Sequence, residues 1–218
     1  IHDAEAIRRW ASTTDTIAAR MTRRVLERGW ADAGRTDTGA LPELADDALD
    51  SCLSGPAASR FVAAPEWQGQ VRETGALART GHLPVVAAAR TLWDSGLLTR
   101  ILARLAEIAS GPARLEELFA ETAEDAPLPP RRGLPPGTGI GQAEAARGRL
   151  VHRVVLDDDQ VADYCLLAPT EWNFHPRGVL VQALETLPPD SDLEPLASLL
   201  VEAIDPCVGY DLEVVANA

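Results

Sequence analysis

Apolar residues recur at helical spacing along most of the N-terminal half of the chain. Between residues 1 and 30 they are Ile7, Trp10, Ile17, Met21 and Leu26, with arginines between them. This spacing predicts an amphipathic helix, with Gly29 as its stop. A second short helix is predicted over residues 43–53. The glycine-containing stretches 33–41 and 65–75 predict irregular structure.

The same periodicity continues from residue 83 to residue 110 and predicts a long helical region. Pro84 suits a first helical turn, where its missing N–H costs nothing. Residues 94–96 interrupt the region, and Gly111–Pro112 predicts its end, followed by a short helix over 113–121. Near the C-terminus, helices are predicted over residues 179–187 and 193–204.

Between these helical regions the apolar period changes to two. The side chains of residues 150–156 follow this period of two and predict a first strand. Asp157–Asp159 predicts a turn, and residues 161–167 predict a second strand. The fold class we expect is therefore α+β, mainly α-helical with one β-hairpin. The hairpin would carry the region from Arg147 to Thr170.

Residues 125–141 differ from their surroundings, because they hold five prolines and four glycines. Such a stretch is either a flexible linker or a rigid loop that threads a site. We place a helical region at residues 1–126 and a region with the hairpin and the C-terminal helices at 127–218. We expect the two to form one compact domain.

Composition narrows the possible functions. The 218 residues are 46% hydrophobic and carry a net charge of −13, and all 20 basic residues are arginines. This charge argues against binding nucleic acid or an anionic membrane by bulk attraction. No apolar run approaches the length of a membrane span, and no signal peptide is visible. The three cysteines predict a reducing cytoplasm, and a start at Ile1 suggests a fragment or a trimmed product.

Several common motifs are missing from the sequence. It contains no CxxC or HExxH zinc pattern, no nucleophile elbow and, without lysine, no phosphate-binding loop of the Walker type. A catalytic site of these classes is not expected.

Four segments in order carry a resemblance to the large subunit of nickel–iron hydrogenases. They are Ala64–Arg79 with its E-T-G-A-L-A-R ending, G-I-G-Q-A-E-A-A-R-G-R-L-V-H at 139–152, P-T-E-W-N-F-H-P-R at 169–177 and D-P-C-V-G-Y at 205–210. Their order and spacing match the family over nearly all of residues 64–210. The resemblance implies the fold of the C-terminal half of that subunit.

The departures from the family pattern bear on function. In the catalytic family two CxxC pairs hold a nickel–iron centre, whereas here Cys207 matches one cysteine and Tyr210 stands at the position of its partner. The family's final histidine is Glu213. Since nickel in a sulfur site needs several thiolates, no complete nickel–iron centre and no catalytic residue are expected.

The resemblance also implies which residues surround the iron. Arg147 and Thr170 match the family's donors to the iron's cyanide ligands, and Cys207 matches a metal-binding cysteine. A purely structural role remains open for each of these residues. Arg147 could form a salt bridge with Glu144 or an aspartate, Thr170 could cap a turn, and Cys207 could be an ordinary buried cysteine. Structural roles are also expected for six further residues, namely Cys52, Glu73, Arg79, His152, Cys165 and His175.

This combination resembles hydrogenase expression/formation proteins of the HupK/HoxV type. The resemblance implies a non-catalytic maturation scaffold that holds an iron unit bearing cyanide and carbon monoxide. Its implied partners are HypC/HypD-type maturation proteins and the hydrogenase large subunit. Two alternatives are a fragment of a divergent hydrogenase large subunit and a metal-free interaction module.

Overall fold

The computed structural model describes residues 3–121, 133–189 and 192–215. Ten helices and five strands occur in these ranges. The helices are α1 Ala4–Thr13, α2 Ile17–Glu27, α3 Asp46–Leu53, α4 Ala58–Ala63, α5 Ala76–Thr80, α6 Pro84–Trp93, α7 Leu97–Glu121, α8 Pro169–Asn173, α9 Val179–Glu185 and α10 Leu193–Ile204. The strands are β1 Gly39–Ala40, β2 Arg72–Glu73, β3 Thr138–Ala145, β4 Gly148–Asp157 and β5 Gln160–Leu167.

The strands form two sheets. β1 and β2 make a two-residue parallel pair, and β3, β4 and β5 form an antiparallel sheet in that order. The turn between β4 and β5 contains Asp158 and Asp159, both with positive φ, as the predicted hairpin requires. The mainly helical α+β fold with its hairpin is confirmed, and β3 adds a third strand.

The N-terminal helix prediction was wrong in one respect, because the chain forms two helices there. α1 is capped by Asp3, the residue before its start, whose carboxylate accepts a hydrogen bond from the amide of Ala6. α2 is capped in the same way by Thr16, whose hydroxyl accepts a hydrogen bond from the amide of Ala19. Two separate N-caps explain the break, since each satisfies amide groups that a helix start leaves unpaired.

The predicted helix end at Gly111–Pro112 was also wrong, because α7 continues through Pro112 to Glu121. A proline inside a helix removes the hydrogen bond to the carbonyl four residues earlier, here that of Ile108. Ile108 is 71% exposed, so water can solvate the carbonyl that Pro112 leaves without a partner. The Pro/Gly-rich stretch was predicted to start at residue 125; its part before residue 133 and the boundary at 126/127 lie outside the described residues.

Among the described residues three apolar clusters hold these elements together, and the smallest packs α5 against α6 and α7 through Leu77, Val86 and Ala103. The largest joins α1, α2, α6, α7, α9 and α10 around residues such as Leu97, Leu98 and Leu200. The second packs one face of the three-stranded sheet against α3 and α8, with Trp172 fully buried. None of the described helices combines the length and apolar character that a bilayer crossing requires.

Candidate functional site

A cavity of about 160 Å³ lies where α7, the β3–β4 turn and the end of α10 meet. Its lining is unusually charged for so small a space. Three guanidinium and three carboxylate groups contribute, from Glu73, Arg100, Arg104, Glu107, Arg147 and Asp205. The formal charges balance, so the cavity suits a polar ligand without a large net charge.

Arg147 reaches this cavity from the turn between β3 and β4. Its Nε lies 3.3 Å from Oδ1 of Asp205, so the salt bridge that the sequence left open forms with an aspartate and not with Glu144. The Arg147 side chain is 45% exposed. Its two terminal nitrogens have no hydrogen-bond partner among the described residues, which leaves them available as donors.

Asp205 ends α10 with a left-handed backbone, at φ 68° and ψ 73°. Besides Arg147 it pairs with Arg104, whose Nη2 lies 3.3 Å from Oδ2. Arg104 also donates to the carbonyl of Glu202. These contacts fix the direction in which the chain leaves α10 toward Cys207.

The segment 73–79 supports the turn that carries Arg147. Arg79 donates hydrogen bonds to the carbonyl oxygens of Ala145 and Ala146, at 3.2 and 2.8 Å. It also pairs with Glu107 and Glu144. The expected structural role of Arg79 is therefore confirmed.

Two glycines allow the segment 73–79 and the β3–β4 turn to approach each other closely. A Cβ on Gly75 would lie 3.2 Å from the carbonyl oxygen of Arg147, and one on Gly148 would lie 2.5 Å from Thr74. Both glycines have positive φ, at 116° and 134°, which other residues adopt only with strain.

Beneath the cavity, Glu73 forms a buried ion pair with Arg100. The side chains are 9% and 1% exposed, and Arg100 donates to both carboxylate oxygens at 3.0 and 3.2 Å. Arg100 also donates to the carbonyl of Gly34. The structural role expected of Glu73 is confirmed.

Thr170 lies in the first turn of α8 and does not line the cavity. Its hydroxyl has no protein hydrogen-bond partner within the described residues, whereas Glu171 accepts a hydrogen bond from the amide of Ala168 at the start of the helix. α8 is tied to the cavity wall by Asn173, whose amide bonds both the N–H and the C=O of Thr74 at 2.9 and 3.0 Å.

Cys207 also lies outside the cavity lining, on an exposed segment two residues after Asp205. The structure thus brings Arg147 to Asp205 but does not place Thr170 and Cys207 in the same cavity. No group of three or more His, Cys, Asp or Glu side chains among the described residues is arranged to hold a metal ion.

The remaining cysteines and His175 fit their structural interpretations. Burial raises the pKa of the thiols of Cys52 and Cys165, which makes both poorer nucleophiles and ligands. His175 is 1% exposed, and its Nδ1 accepts a hydrogen bond from the amide of Arg177 at 3.0 Å. Desolvation lowers its pKa.

Sequence reasoning assigned no role to Arg104 or Asn173. Arg104 follows Arg100 by one helical turn on α7, where the neighbouring Ile101 and Leu102 are buried. The signal that could have pointed to Arg104 was this pair of arginines on one side of a helix that packs into the core. For Asn173 the only sequence signal was its position in the P-T-E-W-N segment.

The fold and these segments define a member of the nickel-dependent hydrogenase family, whose profile matches residues 86–209. Within it, the chain is similar to hydrogenase expression/formation proteins, as the sequence predicted. It is 40% identical to HupK of Bradyrhizobium diazoefficiens over 153 residues, covering 69% of this chain and 41% of that protein. It is 34% identical to HoxV of Cupriavidus necator over 213 residues, covering 94% and 54%.

A solved structure shows the same fold. The nickel–iron–selenium hydrogenase of Desulfovibrio vulgaris Hildenborough in the reduced state superposes with a TM-score of 0.59 over 93% of this chain and 58% of that chain. The identity of 19% limits this likeness to the fold. The chain spans about half the length of the curated relatives it matches.

Proposed function

We propose that this chain is a non-catalytic maturation scaffold for nickel–iron hydrogenase. It holds an iron unit that carries two cyanides and one carbon monoxide, and passes it to the hydrogenase large subunit. Two of its relatives are named hydrogenase expression/formation proteins, which supports a role in maturation. The other partners would be HypC/HypD-type proteins in the cytoplasm.

Tyr210 carries the proposal. In the resembling family a second cysteine follows the first by three positions, and Tyr210 stands three positions after Cys207. Its hydroxyl donates a hydrogen bond to Glu202 at 2.8 Å, and this bond raises the pKa of the phenol. A protonated phenol is a poor substitute for a bridging thiolate, so the Cys207 and Tyr210 positions lack the thiolate pair that holds nickel and iron in the resembling family.

The iron part of the proposal depends on three groups. Cys207 supplies one thiolate, and an exposed thiolate suits a ligand that must be released later. The family resemblance gives Arg147 and Thr170 as donors to the cyanide nitrogens, and each has N–H or O–H groups without a protein partner among the described residues. Thr170 lies outside the lining of the cavity that Arg147 reaches, so its part in the proposal rests on the resemblance. Two cyanides and one carbon monoxide occupy three coordination positions of the iron, and in this proposal the Cys207 thiolate occupies a fourth.

Metal analysis tests this proposal. The chain is purified without oxygen from cells that mature hydrogenase, and iron, nickel and hydrogen uptake are measured. The scaffold predicts iron without nickel and without hydrogen uptake. Nickel together with hydrogen uptake would instead identify a divergent hydrogenase large subunit, and a protein without metal would identify an interaction module.

A pair of variants locates the iron. Cys207→Ser is expected to lose the bound iron, whereas Cys165→Ser keeps it because Cys165 is half-buried on the sheet. Equal iron in both variants would contradict the assignment of Cys207.

A further inference from the structure

The three-stranded sheet has one face that is exposed but apolar. The register pairs His152 with Leu166, Val154 with Tyr164 and Leu156 with Val161, and paired residues point to the same side. The side chains of Leu156, Val161, Tyr164 and Leu166 remain 47%, 63%, 53% and 41% exposed. We name this side of β3–β5 the outer face.

The distribution of charge across the sheet is the reverse of what solvation alone would produce. The side toward α3 and α8 carries Arg153, 5% exposed and paired with Asp50 and Asp163. The outer face carries no aspartate, glutamate or arginine, in a chain with 53 charged residues of those types. A solvated antiparallel sheet normally places polar residues on its open side, so the outer face is expected to be covered by a partner.

The relief of the outer face is uneven. On β3, Gly139 and Gly141 have open space where a side chain would stand. On β5, Tyr164 and Leu166 form a ridge, and a 2.6 Å hydrogen bond between the Tyr164 hydroxyl and Nδ1 of His152 holds the aromatic ring in place. The face thus has a shallow side and a raised side, which favours a partner of matching shape.

One end of the outer face is acidic. The turn residues Asp157, Asp158 and Asp159 are all exposed and follow Leu156 directly. No ion pair is found for them within the described parts of the chain. A partner that covers Leu156 and Val161 must therefore meet three carboxylates at its edge, and basic side chains would complement them.

A second copy of this chain does not fit these features. Packing two outer faces with parallel strands brings both aspartate turns together, at a cost in repulsion. Packing them with antiparallel strands about a two-fold axis places ridge on ridge and glycine strip on glycine strip. These features argue against a second copy of this chain, and the acidic end favours a partner with basic side chains.

We propose that the outer face docks a protein partner with an apolar patch bordered by lysines and arginines, and that this partner exchanges the iron unit. The second half rests on the proposed function. The same strand β4 that ends at Asp157 begins at Gly148, next to Arg147, so a partner lying along the face extends toward the cavity.

The test uses two purified probes: the precursor of the cognate hydrogenase large subunit and the maturation protein that delivers iron. Their binding to the full chain is measured by biolayer interferometry at several salt concentrations. Leu166→Glu is expected to weaken the binding of at least one probe tenfold or more. Val161→Glu, at the other end of the face, is expected to do the same.

Two further variants separate charge from apolar contact. Asp158→Asn/Asp159→Asn keeps residues that tolerate positive φ and is expected to slow association and reduce its salt dependence. Ile17→Glu is the matched control, because Ile17 is an apolar residue on α2 with 78% exposure. It is expected to bind like the wild type, and circular dichroism checks that all variants fold.

The outcomes are distinct from those of the proposed function. The inference is overturned if neither probe binds, if Leu166→Glu and Val161→Glu bind like Ile17→Glu, or if sedimentation shows a wild-type dimer that Leu166→Glu dissociates. A wild type without iron that binds a probe through the outer face would overturn the scaffold but keep the docking surface.

Discussion

Arg147 and Asp205 are 58 residues apart in the sequence, yet Nε of Arg147 lies 3.3 Å from Oδ1 of Asp205. This contact joins the β3–β4 turn to the end of α10, two residues before Cys207. It places the guanidinium next to the segment that carries the thiol. The contact thus links Arg147 to the segment of Cys207, two of the three residues that we propose for the iron unit.

Replacing this carboxylate tests the link. Asp205→Asn keeps a residue that tolerates the left-handed backbone but removes the charge that holds Arg147 and Arg104. Both arginines are more than a third exposed, so we expect a loss of less than about 1 kcal/mol in the free energy of unfolding. Bound iron should nevertheless fall several-fold. Asp32→Asn, which breaks an exposed pair with Arg35, is the control and should leave iron unchanged.

The ion pair beneath the cavity should behave differently. Glu73→Gln leaves the guanidinium of Arg100 buried without a counter-charge, which costs about 3–5 kcal/mol. Asp15→Asn removes the exposed pair with Arg20 and should cost less than about 1 kcal/mol. Urea unfolding measures both. A similar cost for the two variants would show that burial of the Glu73–Arg100 pair does not matter.

Asn173 makes a third prediction, because it ties α8 to the cavity wall. Asn173→Ala leaves the buried N–H and C=O of Thr74 without partners, at a cost of about 1–3 kcal/mol for each group left unsatisfied. Asn173→Asp can still accept from the N–H but cannot donate to the C=O. We therefore expect both variants to unfold at lower urea concentration than the wild type. An unchanged midpoint in either variant would contradict the role of this bridge.

His175 predicts a dependence of stability on pH. Burial lowers its pKa below the ordinary value of 6.5, so on acidification the unfolded chain takes up this proton before the folded protein does. The stability that neutral His175 contributes to the folded protein is therefore lost as the pH falls through 6.5 toward the lower pKa of the folded state. His175→Asn retains an acceptor for the amide of Arg177 but cannot titrate, and should show a shallower loss of unfolding free energy as the pH is lowered below 6.5. Equal slopes would refute this.

Local patterns predicted much of the fold. Helical periodicity predicted α10 with the same bounds, 193–204, and the alternating pattern predicted β4, β5 and the aspartate turn between them. β3 was missed because its glycines give no strand signal, and its conformation depends on pairing with β4. The break after α1 and the continuation of α7 through Pro112 depend on capping and exposure, which periodicity does not report.

Only those residues of the candidate site that belong to a recognised family motif could be predicted from the sequence. Arg147, Thr170 and Cys207 came from the resemblance, but their mutual placement depends on how α10 meets the β3–β4 turn. Arg104 and Asn173 act through contacts with residues about 100 positions away in the sequence. No local pattern encodes such contacts.

Infrared spectroscopy tests the central claim most directly. The chain is purified without oxygen from cells that assemble hydrogenase, and the stretching bands of metal-bound cyanide and carbon monoxide are recorded. We expect these bands in the wild type and in Cys165→Ser, and their loss in Cys207→Ser. A wild-type spectrum without them, or undiminished bands in Cys207→Ser, would contradict a scaffold that holds the iron unit through Cys207.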